Sequence, residues 1–270
     1  MTAEPDAAPP ARRAIVIGAS SGIGRSLALR LAREGYAVGL AARRLSLLLE
    51  LQAEIGSGAL VRQMDVSDTA LAMVQLEELI EELGGADLIV VNAGIGLVSS
   101  LAEMDLRAFR RLESVNLEGT LTVLSAAARH FAHQGSGGDV VLVSTKNVFA
   151  PGARFGAYSA TKAAAHQLAR IASLELAELD VRVNMVAPDA VFAHGGRKSG
   201  LWAEVGPDRM NARGLDEKGL EEYYRSRNLL KAKITAEHVA NAVLFFATRQ
   251  TPTTGATIPV DGGLPDATPR

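Results

Sequence analysis

A phenol and an ammonium lie four residues apart in the segment Tyr158-Ser-Ala-Thr-Lys162. This spacing places both side chains on one face of a helix. A phenol with a pKa near ~10 is a poor acid or base at neutral pH, but a neighbouring ammonium favours the phenolate and lowers that pKa. The hydroxyl pair Ser144-Thr145 follows an apolar run just upstream, where either hydroxyl can hold a carbonyl oxygen. These residues predict proton transfer to and from a substrate oxygen.

A glycine-rich turn lies near the amino terminus, in the segment Gly18-Ala-Ser-Ser-Gly22-Ile-Gly24. It separates the strand predicted at Ala14–Ile17 from the helix predicted at Ser26–Glu34. Glycines there permit a tight turn and a close backbone approach, and the helix N-terminus offers free N–H groups to a pyrophosphate. The expected contacts are Gly18, Ser20, Ser21, Gly22, Ile23 and Gly24. The alternative is a glycine-rich turn that binds no ligand.

Two arginines follow the second predicted strand, Ala37–Ala42. A carboxylate at that position would bind a ribose 2′-hydroxyl, whereas arginine accommodates a 2′-phosphate. Since Arg43 and Arg44 stand there and no carboxylate occurs before Glu50, NADP(H) is favoured over NAD(H). The alternative is that both arginines only solvate a loop. After the run Leu60–Met64, Asp65-Val66 is placed to contact an adenine amino group.

The elements that position these residues alternate between short apolar runs and longer helical patterns. This alternation predicts an α/β protein with a Rossmann-type, doubly wound parallel sheet and helices on both faces. Residues 1–12 are predicted to be a disordered tail and residues 13–270 one domain. The further predicted strands are Asp87–Val91, Asp139–Val143, Val181–Val186 and Thr257–Val260, and the further helices are Leu45–Ile55, Thr69–Leu83, Leu101–Phe131, Tyr158–Leu179 and Ala236–Thr248.

One glycine-rich segment, residues 188–235, interrupts this rhythm after the sixth strand. A connection of that length in a compact domain is usually a lid or a binding element. We therefore expect it to cover the substrate. Candidate substrate contacts are Arg197 and Trp202 within the segment, with Lys146 and Asn147 beside the hydroxyl pair. The alternative is that these polar side chains only pack or solvate loops.

Composition excludes several classes of function. The chain has 270 residues, no cysteine, and 28 Lys and Arg against 30 Asp and Glu, a formal charge of −2. Absent cysteine rules out disulfide scaffolds and thiolate metal sites, and the near-neutral charge argues against nucleic-acid binding. His130 and His133 share helical spacing but have no nearby carboxylate, so no metal is expected. Without a signal-like or membrane-spanning run, a cytoplasmic protein is expected.

Together these motifs resemble those of the short-chain dehydrogenase/reductase family over residues 13 to 263. The resemblance implies that Tyr158 is the acid–base, that Lys162 lowers its pKa and binds ribose, and that Asn116 anchors a water in a proton relay. It places Asn92, Ala93 and Gly94 beside the nicotinamide ribose, and Pro188, Asp189 and Val191 beside the nicotinamide. The family usually has Ser where Thr145 stands, so Thr145 is preferred as the active-site hydroxyl and Ser144 is second. The family commonly has Gly at the position where Asp189 stands in this sequence.

A narrower resemblance is to the dehydrogenase domain of bifunctional rhamnulose-phosphate aldolase/lactaldehyde dehydrogenases. It rests on Ser144–Asn147, Ala150–Gly152, Asn184–Val191 and the region of Gly200–Trp202. This resemblance implies a small, oxygen-rich substrate such as a hydroxyaldehyde, a polyol or a sugar derivative.

The resemblance leaves three functions open. The first is an NADP(H)-dependent alcohol dehydrogenase or ketoreductase. The second is an epimerase that oxidises and re-reduces one carbon with bound NADP(H). The third is a nucleotide-binding regulatory protein without catalysis, against which the full set of catalytic residues argues. The resemblance also implies a homotetramer or homodimer, packed through the helices predicted at Leu101–Phe131 and Tyr158–Leu179.

Overall fold

A computed structural model describes residues 11–194 and 196–265. Within them, seven parallel strands form one sheet. These strands are β1 Arg13–Ile17, β2 Ala37–Ala42, β3 Ala59–Gln63, β4 Leu88–Val91, β5 Gly138–Val143, β6 Val181–Pro188 and β9 Thr257–Val260. Their order in the sheet is β3-β2-β1-β4-β5-β6-β9, and it reverses between β1 and β4, which are hydrogen-bonded neighbours. A short hairpin, β7 Ala193–His194 and β8 Arg197–Lys198, lies apart from the sheet.

Helices cover both faces of the sheet because side chains alternate along each strand. In β1, Ala14 and Val16 pack into the core beneath α1, α2 and α9, whereas Ile15 and Ile17 pack into the core beneath α3, α5 and α6. The predicted Rossmann-type doubly wound fold is confirmed. The helices are α1 Gly22–Arg33, α2 Leu45–Ile55, α3 Thr69–Glu82, α4 Leu106–Leu112, α5 Gly119–Gln134, α6 Gly156–Glu175, α7 Gly200–Asn211, α8 Glu217–Ser226 and α9 Ala236–Ala247.

The long helix predicted over Leu101–Phe131 differs most from the structure. It begins only at Leu106, because the Asp105 carboxylate accepts from the backbone N–H of Arg107 and caps the helix there. A π-helical turn over Glu113–Glu118 then separates α4 from α5. The single predicted helix is therefore wrong, since π-helical turns follow no apolar repeat that a sequence displays.

The segment of residues 188–235 is largely ordered into secondary structure. It contains the β7–β8 hairpin and the helices α7 and α8, which Ser199 and Asp216 cap through their side chains. Three rings hold the segment together: Phe192 lies 4.4 Å from Trp202 and 5.6 Å from Tyr224 between ring centroids. It therefore has a small apolar core of its own.

The predicted amino-terminal tail falls almost entirely outside the described residues, since residues 1–10 are not described. Its last residue, Arg12, donates from Nη1 to the Tyr36 hydroxyl at 2.7 Å and to the Ala247 carbonyl at 2.8 Å. The division into a tail and one domain stays a prediction, as does a cytoplasmic location. None of the helices in the described part is long and apolar enough to cross a membrane.

Candidate active site

A cleft of about 800 Å³ lies at the carboxyl ends of the strands, where the strand order reverses. Ligands of open parallel sheets bind at such a switch point. Three predicted site residues, Gly24, Asn116 and Arg197, lie outside the cleft lining. The predicted residues that line it are Gly18, Ser20, Ser21, Gly22, Ile23, Arg43, Arg44, Asp65, Val66, Asn92, Ala93, Gly94, Ser144, Thr145, Lys146, Asn147, Tyr158, Lys162, Pro188, Asp189, Val191 and Trp202.

Tyr158 lies on the first turn of α6 and faces the residues that follow β5. Burial raises the pKa of Tyr158 to about 12, and a hydrogen bond with the Thr145 side chain opposes that rise. The hydroxyl of Thr145 and the phenol are therefore adjacent, as the proton-transfer hypothesis requires. At neutral pH the phenol is protonated in this structure, because burial outweighs the hydrogen bond.

Lys162 lies one turn further along α6 and is buried. Its Nζ donates to the Val143 carbonyl at 2.8 Å, and burial lowers its pKa to about 8. Burial raises the phenol pKa, and its lowering by Lys162 stays a prediction. Desolvation dominates for both groups. An ammonium has three donors, and the bond to Val143 uses one of them.

Asn116 lies in the π-helical turn and is fully buried. Its amide holds the strand-to-helix connection, since Nδ2 donates to the Ile95 carbonyl at 3.0 Å and Oδ1 accepts from the Ile95 N–H at 2.9 Å. A second Nδ2 bond runs to Thr161 on α6. Gly94 borders Asn116 as well, because a Cβ there would lie 3.3 Å from Asn116 Oδ1 and 3.9 Å from Lys162 Nζ.

Ser144, which follows β5, contacts the buried His166 of α6. Its hydroxyl hydrogen-bonds with His166 Nδ1 at 2.9 Å, and the other ring nitrogen of His166 lies 3.4 Å from the Thr257 hydroxyl. Consecutive residues of extended chain point to opposite sides, which separates Ser144 from Thr145. The structure therefore pairs Thr145 with Tyr158 and Ser144 with His166.

The buried His166 makes stability depend on pH. Burial, with smaller effects of Arg170 and Lys162, lowers the pKa of His166 to about 4 from its ordinary 6.5. The unfolded chain binds a proton in that interval while the folded chain does not, so stability is lost as the pH falls from 6.5 to 4. Between pH 6.5 and 4, we expect the free energy of unfolding of His166→Gln to fall by up to about 3 kcal/mol less than that of the wild type, because a difference of one pKa unit corresponds to 1.36 kcal/mol. Urea unfolding at a series of pH values measures it.

The matched control for this experiment is His133→Gln, which removes an exposed histidine from α5. Because its side chain is exposed, this substitution should change the free energy of unfolding little. Equal slopes for wild type and His166→Gln would contradict the assignment.

The glycine turn is packed against the residues that follow β4. A Cβ on Gly18, whose φ is +85°, would lie 2.8 Å from the Ala93 nitrogen, and one on Gly24 would lie 2.2 Å from the Gly18 carbonyl oxygen. Asn92 Nδ2 donates to that carbonyl at 3.0 Å. Gly24 is therefore a packing residue that keeps the turn in place, which explains why it does not line the cleft.

The N-terminus of α1 has donors but no acidic residue. Ser21 precedes the helix without capping it through its side chain, and the first turn holds no carboxylate. The guanidinium of Arg44 lies against this turn, donating from Nη2 to the Ser20 hydroxyl at 2.9 Å and to the Ser21 hydroxyl at 2.7 Å. N–H groups, hydroxyls and guanidiniums form a donor set that fits the phosphates of a dinucleotide.

The remaining predicted nucleotide contacts line the same half of the cleft. Asp65 Oδ1 accepts from the Ser67 hydroxyl and backbone N–H, at 2.7 Å and 3.0 Å. Val66 packs against Gly119 at the start of α5, where a Cβ would lie 2.7 Å from its Cγ2. These contacts hold the loop after β3 in place beside the glycine turn.

Polar residues on the substrate side differ in their surroundings. Lys146 donates to the Ala150 carbonyl at 3.0 Å, whereas Asn147 Oδ1 is buried without a hydrogen-bond partner. Asp189 accepts from Arg227 Nη2 through both carboxylate oxygens, each at 2.7 Å. Arg197 is held away from the cleft, because its guanidinium pairs with Glu50 at 2.7 Å. The sequence did not indicate the Asp189–Arg227 pair, since 38 residues separate its members.

The family comparison agrees with this geometry. A model described as "short chain dehydrogenase" matches residues 12–201 of the chain. The chain belongs to the short-chain dehydrogenase family. Similar curated proteins are named dehydrogenases and reductases, and this short-chain dehydrogenase is an enzyme of that class, which uses NAD(P)(H).

Two curated proteins are similar to the dehydrogenase over most of its length. It is 34% identical over 274 residues to the uncharacterized oxidoreductase YuxG of Bacillus subtilis (strain 168), covering 99% of this chain and 39% of the relative. The chain thus spans well under half of that relative's length. It is 32% identical to an L-xylulose reductase of Mesocricetus auratus, covering 94% of this chain and 96% of the relative.

A solved structure shows the same fold. The dehydrogenase superposes on a short-chain type dehydrogenase/reductase from Mycobacterium marinum with a TM-score of 0.82 at 28% identity. The match covers 94% of this chain and 95% of the other.

Two residues of the dehydrogenase's site carried no clear signal in the sequence. Phe155 packs beside Tyr158 at 5.9 Å between ring centroids, and His166 contacts Ser144. Arg209, a charged residue of the segment that we expected to cover the substrate, lies over the Phe155 ring at 4.8 Å. Each is positioned by packing between elements distant in sequence. Among the described residues, no group of three or more His, Asp or Glu side chains is placed to hold a metal ion. The absence of a metal stays a prediction.

Proposed function

We propose that this protein transfers hydride between NADP(H) and a secondary alcohol or ketone, or a hydroxyaldehyde, of a small sugar-like or polyol-like substrate. One observation carries the proposal: Tyr158, the adjacent Thr145 side chain and the glycine turn line the same cleft. A proton-transfer group and a dinucleotide cradle thus share one 800 Å³ space. The bound nicotinamide supplies the hydride acceptor or donor.

NADP(H) rather than NAD(H) is proposed from the charges beside the glycine turn. Arg43 and Arg44 both line the cleft, and Arg44 is already oriented by the hydroxyls of Ser20 and Ser21. A guanidinium fixed by two acceptors loses little freedom when it binds a phosphate. In this proposal Asp65 and Val66 contact the adenine, while Asn92 to Gly94, Pro188, Asp189 and Val191 border the nicotinamide riboside.

The chain's own residues move the proton. In oxidation, Tyr158 as phenolate accepts the proton of the substrate hydroxyl while Thr145 donates to the same oxygen. In reduction, the protonated phenol donates to the carbonyl oxygen, and this is the form that burial favours at neutral pH. Lys162 uses its free donors to bind the ribose and to favour the phenolate.

Asn116 completes the proposed path to solvent. Gly94 leaves space between Asn116 Oδ1 and Lys162 Nζ, because a Cβ there would contact both atoms. Oδ1 keeps one lone pair beyond its bond to Ile95. We propose that a water bound there takes the proton that Lys162 passes on from Tyr158.

The proposed substrate class rests on the relatives and on the site. The name L-xylulose reductase refers to a sugar substrate, and the long relative YuxG is consistent with kinship to one domain of a bifunctional enzyme. Polar cleft groups such as Lys146 and the unpartnered Asn147 Oδ1 suit a ligand rich in oxygen. Within this class, a lactaldehyde-like hydroxyaldehyde remains the narrower proposal.

Absorbance of the reduced nicotinamide tests the proposed function. Purified protein is incubated with polyols, sugars and hydroxy acids and with either NADP⁺ or NAD⁺. We expect absorbance to rise with at least one of these and faster with NADP⁺. No rise with any of them, and no consumption of NADPH with the matching ketones, would refute the redox proposal. An inverted substrate carbon at constant absorbance would instead support the epimerase.

We also propose that the protein is a homotetramer or homodimer. Large apolar side chains are exposed on the helices expected to pack between subunits: Leu106 is 68% exposed on α4, Leu121 48% on α5 and Leu174 73% on α6. Exposed apolar residues grouped on neighbouring helices are typical of interfaces.

A further inference from the structure

Positive charge is concentrated at the substrate end of the cleft. Lys146 lies after β5, Arg209 lies on α7, Arg213 follows that helix, and Arg227 ends α8; all four line the cleft. Two carboxylates line the same end. Asp189 is occupied by Arg227 through both oxygens, and Glu204 pairs with Arg111 at 3.3 Å. Within the described residues, Lys146, Arg209 and Arg213 therefore have no carboxylate partner.

Arg209 is the most unusual member of this cationic cluster, which comprises Lys146, Arg209, Arg213 and Arg227. It is only 5% exposed, and its Nε is buried without a hydrogen-bond partner. Its Nη2 donates to the Tyr224 hydroxyl at 3.3 Å, and its guanidinium lies over the Phe155 ring. A buried guanidinium without a counter-charge is costly, and a cation–π contact offsets only part of that cost.

The cationic groups also repel one another. Burial lowers the pKa of Lys146 to about 8; Arg227 and Arg209 lower it further, whereas Asp189 and Asp261 oppose them. An anion between them would remove the repulsion and supply the missing hydrogen bonds. Charge-assisted bonds from arginine to carboxylate or phosphate are among the strongest available to a protein.

We propose that this cluster binds an anionic group of the substrate, so that the substrate is a sugar acid or a sugar phosphate rather than a neutral polyol. This inference rests on the proposed function. Phe155 links this cluster to the proposed acid–base, because its ring lies 5.9 Å from the Tyr158 ring between centroids and 4.8 Å from the Arg209 guanidinium. The anion would therefore bind near Tyr158. Arg44 and the glycine turn are the contacts proposed above for the nucleotide.

Matched substrates test the inference. A polyol, the corresponding sugar acid and the corresponding sugar phosphate are each assayed with saturating NADP⁺. We expect the wild type to prefer either the sugar acid or the sugar phosphate over the polyol. The preferred substrate shows whether the cluster binds a carboxylate or a phosphate. Arg209→Met should raise KM for the anionic substrate by about 30-fold, the effect of removing one partner from a buried charge pair. Its kcat/KM for the neutral polyol should fall less than its kcat/KM for the anionic substrate.

The control variant is Arg225→Met, which removes the same charge from the same segment. Arg225 is exposed, pairs with Glu222 and does not line the cleft. It should leave KM for all three substrates unchanged. Equal kcat/KM for neutral and anionic substrates in the wild type, or equal losses in Arg209→Met and Arg225→Met, would overturn the inference.

A binding measurement separates this inference from the proposed function. With NADP⁺ present, inorganic phosphate and glycolate are titrated against the wild type, and the rise in Tm is recorded. We expect one anion to raise Tm for the wild type and for Lys162→Met but not for Arg209→Met, whose own Tm reports that it is folded. If no polyol is oxidised but this pattern holds, the redox proposal fails and the anion site stands. If neither anion raises Tm in an Arg209-dependent way, the anion site is refuted whatever the activity.

Discussion

Replacing Tyr158 by phenylalanine should lower kcat by about 10³-fold, within the range for loss of a general acid–base. The substitution removes one oxygen and keeps the ring, so packing against Phe155 and Val205 is preserved. Affinity for NADP(H) should change little, because the substitution leaves the glycine turn and Arg44, the proposed phosphate contacts, unchanged. Steady-state kinetics and nucleotide titration measure the two effects separately.

The two neighbouring hydroxyls provide a matched pair of controls for that experiment. Thr145→Val should lose activity because its hydroxyl bonds to the phenol, whereas Ser144→Ala should keep most activity because its hydroxyl bonds to His166. Comparable activity in Tyr158→Phe and the wild type would remove Tyr158 from the mechanism. A larger loss in Ser144→Ala than in Thr145→Val would reverse the assignment of the hydroxyls.

Replacing both Arg43 and Arg44 by alanine should weaken NADPH binding by about 10³-fold, at roughly 1.5–3 kcal/mol for each hydrogen-bonded charge. NADH binding should change only slightly, because NADH has no 2′-phosphate for the guanidiniums to contact. Of the single variants, Arg44→Ala should have the larger effect, because Ser20 and Ser21 already orient that side chain. Fluorescence titration with each nucleotide measures the dissociation constants.

Arg33→Ala is the control for charge alone. Arg33 is exposed at the end of α1 and lies outside the cleft lining. It should leave both dissociation constants unchanged. Equal weakening of NADPH and NADH in the double variant would show that the arginines do not read the 2′-phosphate.

Features that depend on local sequence were predictable. Buried parallel strands are continuous apolar runs, so β1, β2, β4 and β5 could be placed within about a residue of their bounds. The glycine turn was identifiable because a tight turn before a helix restricts residue type at each position. The helical spacing of Tyr158 and Lys162 likewise needs no tertiary information.

Features that depend on packing between distant elements were not predictable. The resemblance favoured Thr145 over Ser144 as the active-site hydroxyl, but it did not indicate that the Ser144 hydroxyl contacts His166. Arg197 and Arg209 both lie in the segment of residues 188–235, yet Glu50 holds Arg197 outside the cleft and Phe155 holds Arg209 inside it. Because such contacts arise from the folded arrangement, the sequence could name candidates but not the partner that each one contacts.

The π-helical turn over Glu113–Glu118 makes the site sensitive to the number of residues as well as to their identity. A π turn amounts to one residue inserted into an α-helix. Deleting one residue there would restore a continuous helix and rotate α5 by about 100° relative to α4, since an α-helix has 3.6 residues per turn. Val123, Ala127 and Phe131 would then leave the core, and Asn116 would leave Ile95. Tolerance to substitution in this turn would therefore not imply tolerance to a change in length.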